Sequence, residues 1–254
     1  MKDEYLKNDN ISIKGRNTPV VLIDENPNPF NAMTNSEKYC VLIGDISGSK
    51  RLTGMDRYQT QLFVKSAIVQ TNEQFGDYID APMTITKGDE FQGLFHNAAQ
   101  AVEVVQSLQK MVFPIRIRYG LGVGNIYRMG GNLPIEMDGP AFHRANRALN
   151  MAKKRKSDMW FISEEEMMDQ LVNTIFALIS AIRSRWNERH FKLYWKYLEL
   201  GTYREVAREE DITPQAVGDM LKNIRATDVL NAEKNVIGVL ARCYPEMALI
   251  PDNQ

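Results

Sequence analysis

Tyr39-Cys40-Val41-Leu42-Ile43-Gly44-Asp45-Ile46-Ser47-Gly48-Ser49 is the stretch on which the fold turns. A short, nearly continuous apolar run rich in Val and Ile meets an aspartate and then a Ser-Gly-Ser turn, the pattern of a buried strand that feeds a loop. Downstream, Asp56 to about Ile79 has loosely helical spacing, with Leu62, Ala67, Ile68 and Phe75 on the expected inner face and a break near Gly76. Residues 82–87 (PMTITK) and 91–95 (FQGLF) predict two strands joined by the tight turn Lys87-Gly88-Asp89-Glu90. Ala98 to Val112 is a helix with Ala98, Ala101, Val105 and Leu108 on one face, stopped by Pro114. Ile115 to Tyr127 alternates apolar and polar residues before three glycines, as a strand with one covered face and a close backbone approach does. A helix over 138–156 and a short strand over 159–162 complete the block. Strand, helix, strand, strand, helix, strand is the split βαββαβ order of ferredoxin-like folds, here with a further helix and strand.

From about Ser163 the periodicity is almost entirely helical. Glu164 to Arg185 predicts an amphipathic helix with Leu171, Ile175, Ile179 and Ile182 on its stripe, followed by a helix over 188–200 that Gly201 breaks. Three shorter helices are expected at roughly 203–210, 214–224 and 227–243. Met167, Met168, Leu171, Trp186 and Trp195 are read as core or dimer packing. The expected fold class is therefore α+β: a polar extension over 1–36 with one short strand at 20–23, an α/β module over 37–163, and a helical module over 164–254.

The 254 residues carry 31 Lys+Arg and 32 Asp+Glu, a net charge of −1, and are 44% hydrophobic and 25% charged. That composition is of an ordinary globular protein and excludes disordered, collagen-like and coiled-coil classes. Balanced charge removes broad electrostatic nucleic-acid binding, leaving room for a local basic face. No run approaches the roughly 18–20 apolar residues of a membrane helix, and the polar start has no apolar signal region, so the expected location is the cytoplasm. The two cysteines, Cys40 and Cys243, are far apart and indicate neither a disulfide framework nor a metal knuckle.

Acidic groups stand where strands end: Asp45 closes the first strand, and Asp89 with Glu90 occupies the hairpin turn. Neighbouring strands would bring Asp45 and Asp89 within a few ångströms, where two carboxylates repel unless a cation lies between them. Mg²⁺ and Mn²⁺ favour carboxylate and phosphate oxygens, and such a site suits phosphoryl or nucleotidyl transfer. Gly48 and Gly88 allow close backbone approach to phosphates, and Ser49, Lys50, Arg51 and Lys87 supply polar and positive groups to the same end. The competing interpretation is that Asp and Gly here are ordinary turn residues. Likewise Lys153-Lys154-Arg155-Lys156 is read as a solvated helix end, with phosphate or nucleic-acid contact the lesser alternative.

Ile43-Gly44-Asp45-Ile46-Ser47-Gly48-Ser49 resembles the first metal motif of class III nucleotidyl cyclases, and Lys87-Gly88-Asp89-Glu90-Phe91 resembles their second and the GGDEF signature of diguanylate cyclases. Gly120 to Gly124 is similar to the glycine-rich strand of the cyclases, and Gly139 to Arg147 (GPAFHRANR) to their late helix motif. The fuller pattern IGDISGSK, KGDEFQGLF and DGPAFHRA, with a helical tail, is similar to the SatD family. The resemblance implies a palm domain that binds a nucleoside triphosphate, with Asp45 and Asp89 as the metal pair, the Ile46 carbonyl a further ligand, and Glu90 an accessory acid. It also implies a homodimer and places Arg147 as the transition-state arginine, with His143 standing where the cyclases have Asn. The competing interpretation for His143 and Arg147 is an exposed helix face.

Thr202 to Asn223 has helix-turn-helix spacing, with Val206, Ala207, Val217 and Leu221 inward and Thr213-Pro214 as cap and first residue of the second helix. It resembles sigma-factor region-four modules, which implies double-stranded DNA contact through Gln215, Lys222, Asn223 and Arg225. The acidic run Glu209-Glu210-Asp211 and Asp219 support the alternative, a trihelical bundle used for packing or dimerisation. Three functions follow as expectations: a metal-dependent nucleotidyl cyclase or nucleotidyltransferase coupled to a DNA-binding helix-turn-helix, a catalytically inactive nucleotide-sensing transcriptional regulator, or a structural adaptor.

Overall fold

Strand β1 (Tyr39–Ile46) lies at the centre of a five-stranded sheet. Its side chains alternate between two cores, Cys40, Leu42 and Ile46 on one face and Val41 and Ile43 on the other. That is why the run is apolar throughout: both faces are covered. The computed structural model describes residues 38–48, 54–129 and 131–244, so the expected strand at 20–23 and the positions Ser49 and Lys50 lie outside the described residues.

After β1 come α1 (Gly54–Gln74), β2 (Ile79–Lys87), β3 (Glu90–Phe95), α2 (Ala98–Met111) and β4 (Ile117–Gly124). A small ribbon of β5 (Tyr127–Arg128) and β6 (Met137–Asp138) leads to α3 (Pro140–Arg155) and β7 (Met159–Ile162). The sheet order is β2-β3-β1-β4-β7, with β1 antiparallel to β3 and β4 and β7 parallel to β4. The split βαββαβ order is thus present, extended by one parallel edge strand.

Helix α3 lies on one face of the sheet with unusually close backbone approach. Gly120 and Gly122 of β4 face it, and a methyl group added at either would run into the α3 backbone at Ala145, Leu149 or Ala141. Ala141, Ala145, Ala148 and Ala152 answer them from the helix, all buried. Small residues on both sides seat α3 and fix the height of every side chain it carries.

The other face is covered by α1, α2 and a helical segment of α4 (Glu166–Arg183), α5 (Glu188–Leu200), α6 (Tyr203–Glu210), α7 (Pro214–Asn223) and α8 (Ala226–Cys243). Val172 and Phe176 of α4 and Val236 and Leu240 of α8 enter the same core as Tyr119 and Phe161 of the sheet. A second core of Ile179, Trp186, Leu193, Tyr194, Val206, Ala207, Val217 and Leu221 knits α4 to α8. Between the two sits a buried polar knot: Arg183 Nη2 meets Glu233 Oε1 at 2.6 Å, and the Tyr194 hydroxyl donates to Glu233 Oε2 at 2.7 Å.

In two helices one residue of the expected inner face lies outside, while Ala67, Ile68 and Ile179 are buried and Phe75, Ile175 and Ile182 pack against the cores. Helix α1 buries Val64, Ala67, Ile68 and Thr71 and leaves Leu62 exposed. Helix α4 buries Val172, Asn173, Phe176, Ile179 and Arg183, leaving Leu171 outside. Both helices also pair an amide with the otherwise unpaired backbone of an edge strand. Asn173 of α4 accepts from Phe161 N–H of β7 at 2.7 Å and donates to its carbonyl at 2.7 Å. Asn72 of α1 does the same for Met83 of β2, accepting at 3.0 Å and donating at 2.9 Å. On each helix an amide meets the edge strand beside the apolar residues that enter the core.

Candidate functional site

The antiparallel register places Asp45 of β1 directly opposite Glu90 of β3, with Arg118 of β4 on its other side. Opposed like charges on adjacent strands repel. Here a cation from α3 relieves them: Lys153 Nζ lies 3.1 Å from Asp45 Oδ1 and 3.7 Å from Glu90 Oε1. All three side chains are part-buried, which limits solvent screening and strengthens the attraction.

Asp89 goes elsewhere. It sits in the tight turn after Gly88, out of the strand register, and its carboxylate accepts from Arg57 Nη2 at 3.2 Å on both oxygens and from Gln61 Nε2 at 2.7 Å. The turn is tied to β1 through its backbone, since Ile46 N–H donates to the Asp89 carbonyl at 3.2 Å. Gly48 and Gly88 have φ of +81° and +61°, the left-handed region that a side chain disfavours, so glycine is required at both turns. The β1–β3 end therefore holds Asp45, Glu90 and Asp89 close in the chain path, but splits their carboxylates between α3 and α1.

Asp45 and Glu90 suit a divalent cation in one respect, since two carboxylates already converge on a single positive group. Among the described residues no group of three or more His, Cys, Asp or Glu is gathered for a metal, so further ligands would have to come from backbone, water or phosphate.

His143 is exposed, with Nε2 3.5 Å from Asp138 Oδ1. Arg147 lines a cleft of about 890 Å³ between α3, β7 and α4, with Asn150, Trp160 and Asp169. Burial raises the Asp169 carboxyl above the ordinary range, against hydrogen bonds from Ser163 and the charges of Arg144 and Arg147. No described ion pair or hydrogen bond joins Arg147 or His143 to Asp45, Glu90 or Lys153. Gln215, Lys222, Asn223 and Arg225 are exposed on and just beyond α7. Gln215 Nε2 donates to Asp219 at 3.1 Å, Arg225 Nε meets Asp228 at 2.5 Å, and Thr213 caps α7 through Ala216 N–H at 3.2 Å.

Sequence reasoning missed Lys153, Arg57 and Gln61. Lys153 was legible in helical phase: it follows the buried Ala145 and Leu149 at i+8 and i+4, unlike its neighbours Lys154 to Lys156. Arg57 and Gln61 are themselves an i, i+4 pair on α1.

Residues 39–228 match the model of the SatD family. The chain belongs to the SatD family. No curated protein matches it. Among solved structures this SatD chain is similar to a bacterial light-regulated adenylyl cyclase, with 14% identity, 49% of this chain and 74% of that one covered, and a TM-score of 0.40. It is similar also to the guanylate cyclase domain of RhGC from Catenaria anguillulae in complex with GTP, with 20% identity, 45% and 72% covered, and a TM-score of 0.37. A microbial GGDEF domain whose structure concerns bis-(3,5)-cyclic di-GMP gives 18% identity, 54% and 83% covered, and a TM-score of 0.35. Among the described residues of the SatD chain no helix is long and apolar enough to cross a membrane.

Proposed function

We propose that this SatD chain is a cytoplasmic protein that binds a nucleoside triphosphate with Mg²⁺ or Mn²⁺ at the end of β1 and β3, and that residues 37–163 form the binding module and 164–254 the module that responds. The observation that supports this most is the Asp45–Glu90 pair converging on one cation at the mouth of two glycine turns. A bound divalent ion would neutralise phosphate charge and activate an attacking oxygen. Asp45 and Glu90, with the Ile46 carbonyl beside them, would hold it. Lys153 would give its charge to the phosphates, while Lys50, Lys87 and the backbone at Gly48, Ser49 and Gly88 would cradle them. If nucleotide is turned over, the reaction is a nucleotidyl transfer that releases pyrophosphate, with Arg147, aided by His143, steadying the developing charge.

The test is equilibrium binding of labelled ATP and GTP with Mn²⁺, together with resolution of any product. Asp45→Asn is expected to weaken retention at least ~10-fold, about 1.4 kcal/mol, while the melting temperature stays within a degree or two. Metal-dependent binding that survives this substitution unchanged would overturn the proposal.

The hold of Arg57 and Gln61 on Asp89 favours a second reading, a regulator that senses nucleotide without turnover, because one of the expected metal ligands is already engaged. In that reading α7 contacts DNA through Gln215, Lys222, Asn223 and Arg225. Replacing Lys222 and Arg225 together by Ala is expected to weaken DNA retention across sequences and lower the slope of log affinity against log salt by about 2. Retention with an unchanged slope would remove DNA from the account.

A further inference from the structure

Helix α4 is apolar on two opposite sides. One side enters the cores already described. The other carries Met167, Leu171, Thr174, Leu178 and Ala181, spaced four, three, four and three residues apart, a stripe in the a and d pattern of paired helices. Met167 is 77% exposed, Leu171 59% and Leu178 60%. Clefts of about 890 Å³ and 380 Å³ flank the stripe, share Leu178 in their linings, and give a second helix room to descend between α3 on one side and α7 on the other.

Charge is distributed unevenly along this face. Glu165 and Glu166 stand at the N-terminal end of α4, next to Glu164, which is paired with Lys38 and Arg144, and across the larger cleft from Arg147 and Arg155; Arg185 stands at the C-terminal end, near Arg225, which is paired with Asp228. Arg185 makes no ion pair among the described residues, and Glu166 only accepts from Gln170 at 3.3 Å. A parallel pair would set glutamates against glutamates and arginine against arginine. An antiparallel pair sets the acidic end of each helix against the basic end of the other.

We propose that α4 pairs antiparallel with α4 of a second copy of this chain, about a two-fold axis between Thr174 and Ile175. That axis sets Leu171 of each copy against Leu178 of its mate, keeps the small Thr174 at the crossing point, and brings Glu165 and Glu166 toward Arg185. The inference does not depend on nucleotide binding, and it gives the dimer implied by family resemblance a specific surface.

The experiment is sedimentation equilibrium of the full chain. The wild type is expected at twice the 29.1 kDa chain mass. Leu171→Glu with Leu178→Glu is expected to run at the single-chain mass and to keep a cooperative thermal melt that no longer depends on protein concentration, because both side chains are outside the core. Arg185→Glu alone is expected to weaken the dimer ~10-fold or more, and Glu166→Arg added to it to restore most of that loss. A wild type that sediments as a single chain, a dimer that survives the double leucine substitution, or a charge exchange that restores nothing would each overturn the pairing.

Discussion

Gly122→Ala is expected to destabilise the protein by about 3 kcal/mol, at the upper end of what overpacking a core costs. The added methyl meets backbone atoms of α3, the Ala145 nitrogen and the Ala141 carbonyl, and no side-chain rotation relieves a collision with backbone. Relief requires α3 to lift from β4, which gives up the buried contacts of Ala141, Ala145 and Leu149. Against a total stability of roughly 5–15 kcal/mol that is a large share, and the melting temperature should fall by roughly 6–12 °C. Gly238→Ala is the control. It lies within α8 with nothing near its added carbon, and there the substitution should stabilise by up to about 1 kcal/mol through helix propensity. Equal melting of wild type and Gly122→Ala would show that the close seat of α3 on β4 is not the constraint described here. The same lift carries Lys153 away from Asp45 and Glu90, so any ligand affinity at that end should fall with stability.

Glu233→Ala should cost about 3–5 kcal/mol, the range for removing one partner of a buried ion pair. Arg183 and Glu233 are each only 8% exposed, and Arg183 Nε already lacks a hydrogen-bond partner among the described residues. Without Glu233 the guanidinium would keep the ring faces of Trp186 and Tyr194, at 5.6 and 5.4 Å, and the charge of nearby Asp158, while the Tyr194 hydroxyl would lose its acceptor. Arg183→Met combined with Glu233→Leu should recover part of the loss, since the apolar pair itself leaves no charge behind, while Asp158 loses the nearby Arg183 charge that offsets its burial. A double variant no better than Glu233→Ala would mean that the knot stabilises by packing shape and not by charge pairing. Because the knot joins α4, α5 and α8 beside the sheet, these variants should also loosen the helical segment's seat on the sheet.

The strand order was legible because β1, β3 and β4 carry simple signals: a continuous apolar run, a tight Gly-Asp turn, and glycines where a helix approaches. The direction of Asp89 was not. A one-residue difference in where the turn begins decides whether its carboxylate follows Glu90 or leaves the register, and turn geometry is set by backbone torsions that residue types only bias. Lys153 was hidden by its company, four basic residues in a row of which one faces the sheet. The stripe of α4 was legible at Ile175, Ile179 and Ile182 but not at Leu171. Hydrophobic periodicity counts apolar residues, whereas the buried face of α4 also carries Asn173, whose value depends on a strand it meets only in three dimensions. Leu171, expected in core or dimer packing, is exposed and is the residue that most plainly asks for a partner.

The paired amides of Asn72 and Asn173 have a consequence for how such a chain can grow. Each occupies the outward main-chain groups of a terminal strand, Met83 on one flank and Phe161 on the other, in the manner of a neighbouring peptide. A sheet finished in this way offers no template at those points for an incoming strand, whether from a swapped copy or a misfolded one. Assembly is thereby channelled to helical surfaces, where recognition depends on side-chain shape and charge and can be dissolved again. A protein built like this can afford to associate reversibly at high concentration without drifting toward fibrils.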